Sequence, residues 1–311
     1  MNSAICWECL YNGPTTICVS GSLSRLSKNV VPWTQSAGNQ PQKSNISSLV
    51  GTSETTRAAT LEPDEPGCRR GRRADPDCEW LAGLIDGDGS FQVSKAGYTS
   101  LEITMDLGDL PCLTKVQSML GGGKITLRSG AKAYRYRLHN KPGMIKLVDC
   151  INGHIRHSGR LNQLHRVCGV LGIAPIMPKE SLSITSSYFA GFIDADGTIN
   201  LTYKNGYPLI TISVGQKLLQ DLIIFQQVFG HSLFYDSAQN GHYKWSVQSR
   251  DGYLAMLDYF NSVSFRSRKS RRFFLIKDYL SLRDLRAYKP DSLHNKAWLD
   301  FVKRWDRFNM S

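Results

Sequence analysis

Apolar and polar positions along this chain change period in a repeating order. Residues 80–88 read as an apolar helix, and Phe91 and Val93 then alternate with Gln92 and Ser94, the pattern of a half-buried strand. Leu101, Ile103 and Met105 continue the two-residue period in a second strand. Leu110 to Leu120 is spaced as a helix and stopped by Gly121-Gly122-Gly123. Thr126 to Arg128 and Ala133 to Asn140 predict another strand pair. Met144 to Ile151 predicts a helix, and Leu161 to Leu171 a further one closed by Gly172 and Pro175. From residue 188 the order repeats. A shift of 109 lays Tyr134 on Tyr243, Tyr136 on Trp245, Gly143 on Gly252, Asp149 on Asp258 and Asn152 on Asn261, while the opening helices are offset by 108. Arg266, Arg268, Lys269, Arg271 and Arg272 open a basic helix, and Trp298, Phe301, Val302 and Trp305 recur at helical spacing as packing residues. The fold class is α/β (α+β), two αββαββα repeats spanning 75–178 and 179–311 behind a 1–74 extension.

The two opening helices carry the candidate chemistry. Trp80-Leu81-Ala82-Gly83-Leu84-Ile85-Asp86-Gly87-Asp88-Gly89 and Tyr188-Phe189-Ala190-Gly191-Phe192-Ile193-Asp194-Ala195-Asp196-Gly197 share one grammar. Each is expected to end at Gly89 or Gly197 in a left-handed cap. Gly83 and Gly87 fall on one helical face, as do Gly191 and Ala195, so the two backbones are expected to pack closely. That brings Asp88 and Asp196 together at the negative end of two helix dipoles. Such a pair repels itself unless a cation bridges it, and hard divalent ions prefer oxygen ligands. The carbonyls of Gly87 and Ala195 are candidate additional oxygens. Asp86 and Asp194 sit two residues earlier and are expected to make structural hydrogen bonds. A solvated Asp-Gly turn would explain one copy of this block but not two on packing faces.

These residues resemble the signature of the LAGLIDADG homing endonucleases in their single-chain, two-repeat form, over roughly residues 77–287. The resemblance implies a pseudo-two-fold body whose two antiparallel sheets form a DNA-binding saddle. It implies a monomer that makes a staggered double-strand break in double-stranded DNA at a long target. It also implies Asp88 and Asp196 as metal ligands, Mg²⁺ as cofactor with Mn²⁺ or Ca²⁺ substituting in binding, and encoding within an organellar intron. Two rivals stay open on the same scaffold: an RNA maturase acting on intron RNA, and a DNA-binding protein that does not cut. The family also commonly places a polar residue at the end of the second strand and a Lys before the last helix. Gln216 and Lys269 match these positions in the second repeat, as catalytic candidates. The first repeat departs, with Leu107 opposite Gln216 by the 109 shift, Gly159 opposite Lys269, and Arg160 beside it as a substitute.

Strand alternation selects the residues that would face DNA. In 134–139 Arg135, Arg137 and His139 point outward, and in 243–248 Lys244, Ser246 and Gln248. The opening strands offer Gln92 and Ser94 in one half and Asn200, Thr202 and Lys204 in the other; Arg128 and Ser213 complete the set. Arg suits guanine, and Asn or Gln suits adenine, in the major groove. The outward residues differ between halves, so the preferred site is expected to be asymmetric.

Charge agrees with this and narrows it. The chain has 311 residues, with 38 Lys and Arg against 26 Asp and Glu for a net +12. Residues 1–79 carry eight of each sign, so the whole excess lies in the repeats, as expected of a nucleic-acid binder. No long apolar run or basic amphipathic helix suggests a membrane. The eight cysteines are irregularly spaced and predict no disulfide framework, which points to a reducing compartment. Cys6-Trp7-Glu8-Cys9 lacks a second pair for zinc, and no secretory signal is evident. Residues 1–74 are polar and weakly patterned, as in a disordered extension. Arg69-Arg70-Gly71-Arg72-Arg73 suits either nucleic acid or solvent.

Overall fold

The computed structural model describes residues 75–238 and 240–308. Expectations for residues 1–74, including the Cys6–Cys9 pair and the 69–73 arginines, lie outside this range. The first half runs α1 (Pro76–Asp88), β1 (Gly89–Val93), β2 (Thr99–Asp106), α2 (Leu110–Leu120), β3 (Lys124–Leu127), β4 (Ala133–Leu138), α3 (Lys141–Ile151) and α4 (Ser158–Leu171). The second runs α5 (Tyr188–Asp196), β5 (Gly197–Lys204), β6 (Tyr207–Gln216), α6 (Gln220–Phe229), β7 (Ser232–Asp236), β8 (His242–Val247) and α7 (Arg250–Ser262). Three helices follow: α8 (Lys269–Phe273), α9 (Ile276–Asp284) and α10 (Asn295–Arg307). The two sheets are antiparallel, in the orders β1-β2-β4-β3 and β5-β6-β8-β7.

Local chemistry explains the boundaries. Asp75 caps α1 by accepting from the backbone N–H of Asp77 at 3.0 Å, and Pro76 fills the first turn, where no N–H is needed. Gly121 and Gly172 end α2 and α4 where the sequence predicts a stop, and both lie in the left-handed region (φ 69° and 70°). Gly89 and Gly197 do not: at φ −88° and −66° they are extended, and each helix passes straight into a strand. Glycine is required there for another reason. A Cβ on Gly89 would stand 2.7 Å from Ile85 Cα, and one on Gly197 2.5 Å from the Ile193 carbonyl oxygen.

One buried cluster runs through both halves, with Trp80, Phe189, Phe192, Tyr136 and Trp245 among its fully buried members. The close helix pair, α1 against α5, lies at its centre. The C-terminal packing residues behave as expected: Trp298, Phe301 and Trp305 bury one face of α10, with Trp298 and Phe301 against Tyr279 of α9. The cysteine expectation is corrected, since Cys78 of α1 is disulfide-bonded to Cys150 of α3, while Cys112 and Cys168 are buried and free. Among the described residues, no helix is long and apolar enough to cross a membrane.

Candidate active site

Two glycines let α1 and α5 touch. A Cβ on Gly83 would lie 2.0 Å from the Tyr188 carbonyl oxygen, and one on Gly191 1.9 Å from that of Trp80. Further along, a Cβ on Gly87 would meet Ala195 Cβ at 2.4 Å and Asp196 Cγ at 3.4 Å. The C-terminal ends therefore meet, and Asp88 and Asp196 come together there. Burial and then the charge of Asp196 push the Asp88 carboxyl up to about 7; burial also raises Asp196, against the hydrogen bond from Gln216. The earlier pair is occupied structurally. Asp194 accepts from Trp80 Nε1 at 2.8 Å and the Ser267 N–H at 2.8 Å, while Asp86 accepts from Tyr188 Oη at 2.7 Å and the Arg156 N–H at 2.7 Å.

The supporting shell is unequal. Gln216 Nε2 donates to Asp196 Oδ2 at 2.6 Å. Lys269 Nζ donates to the carbonyls of Ile193 (3.1 Å), Asp194 (2.8 Å) and Ala195, neutralising the end of the α5 dipole. Burial lowers the Lys269 pKa, opposed by Asp88, Asp109, Asp194 and Asp196. Among the described residues, no side chain donates to Asp88, and no lysine caps α1. Arg160 is close enough for its charge to act on both Asp88 and Asp196, while its Nε is buried without a partner.

The strand register corrects the first-repeat equivalent of Gln216. Gly89 pairs with Ile103 and Gly197 with Val214, while Met105 faces Tyr134 and Gln216 faces Tyr243. Gln216 therefore matches Met105, a buried apolar residue, rather than Leu107. The β5–β6 hairpin is longer than its counterpart, so no constant shift aligns the halves. A cavity of about 440 Å³ opens beside Asp88, lined among others by Asp109, Lys132, Arg268, Lys269 and Arg272.

The outward sheet faces carry most of the expected contacts. Gln92, Ser94, Arg128, Arg137, His139, Asn200, Thr202, Lys204 and Gln248 are exposed; Arg135 and Lys244 are half-buried. Ser213 and Ser246 are corrected, at 4% exposure each. They pair with each other mid-sheet, flanked by Thr198 and Ser232, and their side chains are too short to clear those neighbours. Arg128, His139 and Gln248 fall just beyond their strands. Arg266, expected in a basic helix, instead stacks over Trp80 at 4.2 Å and pairs with Asp77. Two residues missed in sequence hold the halves together reciprocally: Asp109 accepts from the Arg268 N–H (2.8 Å) and Asp221 from the Ser158 N–H (2.9 Å). Glu102 was also missed, although its polar place between Leu101 and Ile103 marks it as outward-facing.

Two sheets flanking a carboxylate pair at the ends of close-packed helices define a pseudo-symmetric, duplicated α/β protein with one shared acidic centre. The LAGLIDADG endonuclease family matches residues 81–171 and again 189–280, and this chain belongs to that family. It is 40% identical over 292 residues to the probable intron-encoded endonuclease aI2 of Debaryomyces hansenii, covering 83% of this chain and 44% of that protein. It is 44% identical over 237 residues to the intron-encoded RNA maturase bI4 of Saccharomyces cerevisiae, covering 73% of this chain and 36% of that protein. The chain thus spans less than half the length of these two relatives. The I-LtrWI LAGLIDADG homing endonuclease bound to target DNA shares the fold, with a TM-score of 0.59 at 13% identity, over 76% of this chain and 98% of that one.

Proposed function

We propose that this chain is a site-specific, Mg²⁺-dependent endonuclease that makes a staggered double-strand break at a long asymmetric DNA target. The observation that carries this reading is the meeting of Asp88 and Asp196 through Gly83, Gly87, Gly191 and Ala195. The donor set fits a hard divalent cation: two carboxylates raised by burial, one of them without a described donor. Among the described residues, no cluster of three or more His, Cys, Asp or Glu offers a rival centre. Asp88 and Asp196 would hold the ion, with the Gly87 carbonyl as the freer backbone oxygen, because Ala195 already accepts from Lys269. A bound ion there supplies an activated water and neutralises the scissile phosphate.

The chain's own residues do the rest. Gln216 fixes one oxygen of Asp196 and thereby orients the other. Lys269 anchors the end of α5 beside both carboxylates by donating to the Ile193, Asp194 and Ala195 carbonyls. The outward Arg, Lys, Asn and Gln side chains of the sheets contact phosphates and base edges. Their difference between halves makes the target asymmetric. Intron mobility and an organellar location accompany this reading, supported by the intron-encoded relatives. The likeness to an RNA maturase favours a second reading, assistance to intron splicing. A supercoiled plasmid carrying the intronless junction tests the first: linearisation with Mg²⁺ and none with EDTA is expected. Faster splicing of the precursor RNA without any cleavage would favour the second.

A further inference from the structure

The outward face of the first sheet holds a carboxylate where a DNA-binding surface should avoid one. Glu102 is paired across the β2–β4 ladder with Arg137, and its neighbour Thr104 with Arg135. Its Oε2 accepts from Arg137 Nη2 at 2.7 Å, and its Oε1 lies 2.9 Å from Arg135 Nε. The Arg135 contact is close but not aligned as a hydrogen bond, so that guanidinium is held by charge. The Glu102 side chain is 18% exposed, while those of Arg135 and Arg137 stay 30% and 51% exposed. The second sheet has no such device: strand pairing matches Glu102 to Ser213, Arg135 to Lys244 and Arg137 to Ser246.

We infer that Glu102 is a specificity-determining positioning residue for the first half-site, aiming the forks of Arg135 and Arg137 at base edges in the major groove. This rests on the DNA-binding reading above. A bare carboxylate in a groove that receives phosphates only repels them. One that spans two arginines orders both before binding, which lowers the ordering cost at the interface. A guanidinium with one edge on a carboxylate presents its remaining N–H groups in a fixed direction, the geometry that distinguishes guanine from other bases. The arginines alone would bind phosphates as readily as bases, giving affinity without selection.

The test is a base-preference profile of the full chain. Selection from a randomised duplex library in EDTA fixes the preferred site, and its single-base-pair variants are then ranked by Kd for wild type, Glu102→Gln, Arg137→Gln and the double variant. Glu102→Gln is expected to flatten discrimination by about fivefold or more at the base pairs beneath Arg135 and Arg137. The second half-site's profile is the internal control and should stay as in wild type. The two substitutions should be non-additive at those positions. A uniform change across the site would mark bulk charge alone and overturn the proposal, as would an unchanged profile. Additive losses at a single cytosine would mean that Glu102 reads a base directly, which also overturns it. Absence of any preference in wild type would sink the site-specific reading on which this inference rests, a separate and distinguishable failure. Thermal melts of each variant confirm that the chains compared are folded.

Discussion

The indole N–H of Trp80 on α1 donates to Asp194 on α5 at 2.8 Å, across the two halves. Tyr188, at the matching place on α5, returns its hydroxyl to Asp86 at 2.7 Å. Each buried carboxylate also takes backbone N–H groups from the loop before a following helix, Arg156 and His157 for Asp86, Arg266 and Ser267 for Asp194. Asparagine could accept with one oxygen only and would turn an amide toward donors. Asp194→Asn should therefore lower unfolding free energy by roughly 1–3 kcal/mol in urea titration. An unchanged midpoint would show that these bonds contribute nothing net.

The backbone approach makes a sharper prediction. Gly191→Ala would drive a Cβ against the Trp80 carbonyl, a contact that only separation of α1 and α5 can relieve. The loss should exceed about 3 kcal/mol, beyond the usual range for single substitutions. Gly169, exposed within α4 with open space where a Cβ would go, is the control. Gly169→Ala should raise stability by roughly 0.5–1 kcal/mol, the helix-propensity gain alone. Denaturant titration of both variants decides; similar small effects would refute the close packing.

What the sequence made legible was what depends on short-range pattern. The duplicated Gly and Ala spacing announced the helix pair, and two-residue alternation announced the sheet faces. Features set by three-dimensional register were hidden. The Leu107 assignment failed because a constant shift ignores the longer β5–β6 hairpin, which moves the match to Met105. The left-handed caps at Gly89 and Gly197 failed because glycine there avoids the preceding helical turn while the chain enters a strand. The Cys78–Cys150 bond joins residues 72 apart and becomes visible only once α3 lies beside α1. Ser213 and Ser246 alternate outward correctly, yet are too short to reach solvent from mid-sheet.

The raised Asp88 carboxyl gives a pH signature without cation. Its folded value of about 7 lies above the ordinary unfolded value, so the folded state binds the extra proton. Its stabilising effect is full below about pH 4 and is lost as pH rises through about 7. Asp88→Asn does not titrate and escapes that loss. In EDTA at pH 8 the variant should be more stable than wild type by at least about 1 kcal/mol, with the gap narrowing toward pH 5. Mg²⁺ should narrow the gap at pH 8 by binding wild type preferentially. Calorimetric melting with and without chelator measures this, and a variant less stable than wild type at pH 8 would contradict it.

The disulfide closes a loop of about 72 residues between the helix that carries Asp88 and α3. Chain-entropy reasoning gives about 4.4 kcal/mol for a loop of that size. Cys78→Ser should lower stability under oxidising conditions and make the melting point insensitive to dithiothreitol. Wild type should lose a similar amount on reduction. If reductant shifts the wild-type and Cys78→Ser melts equally, the bond does not contribute.

The two carboxylates are held unequally, which bears on which strand is cut faster. Gln216 makes the one described side-chain hydrogen bond to Asp196, and the first half offers buried Met105 at the matching place. A carboxylate with one oxygen held presents the other in a fixed direction; one without such a partner samples more orientations, and positioning errors of this kind are costly to rate. The two strands of a duplex target should therefore be cut at unequal rates, with nicked circles appearing before linear product. Gln216→Ala should slow the faster strand by roughly tenfold and bring the two rates together. Met105→Gln should speed the slower strand, whereas Leu107→Gln, placed by the constant shift rather than by strand pairing, should not. Strand-specific end labels on one target duplex measure both rates directly. Acceleration by Leu107→Gln but not by Met105→Gln would refute the register-based match between the halves.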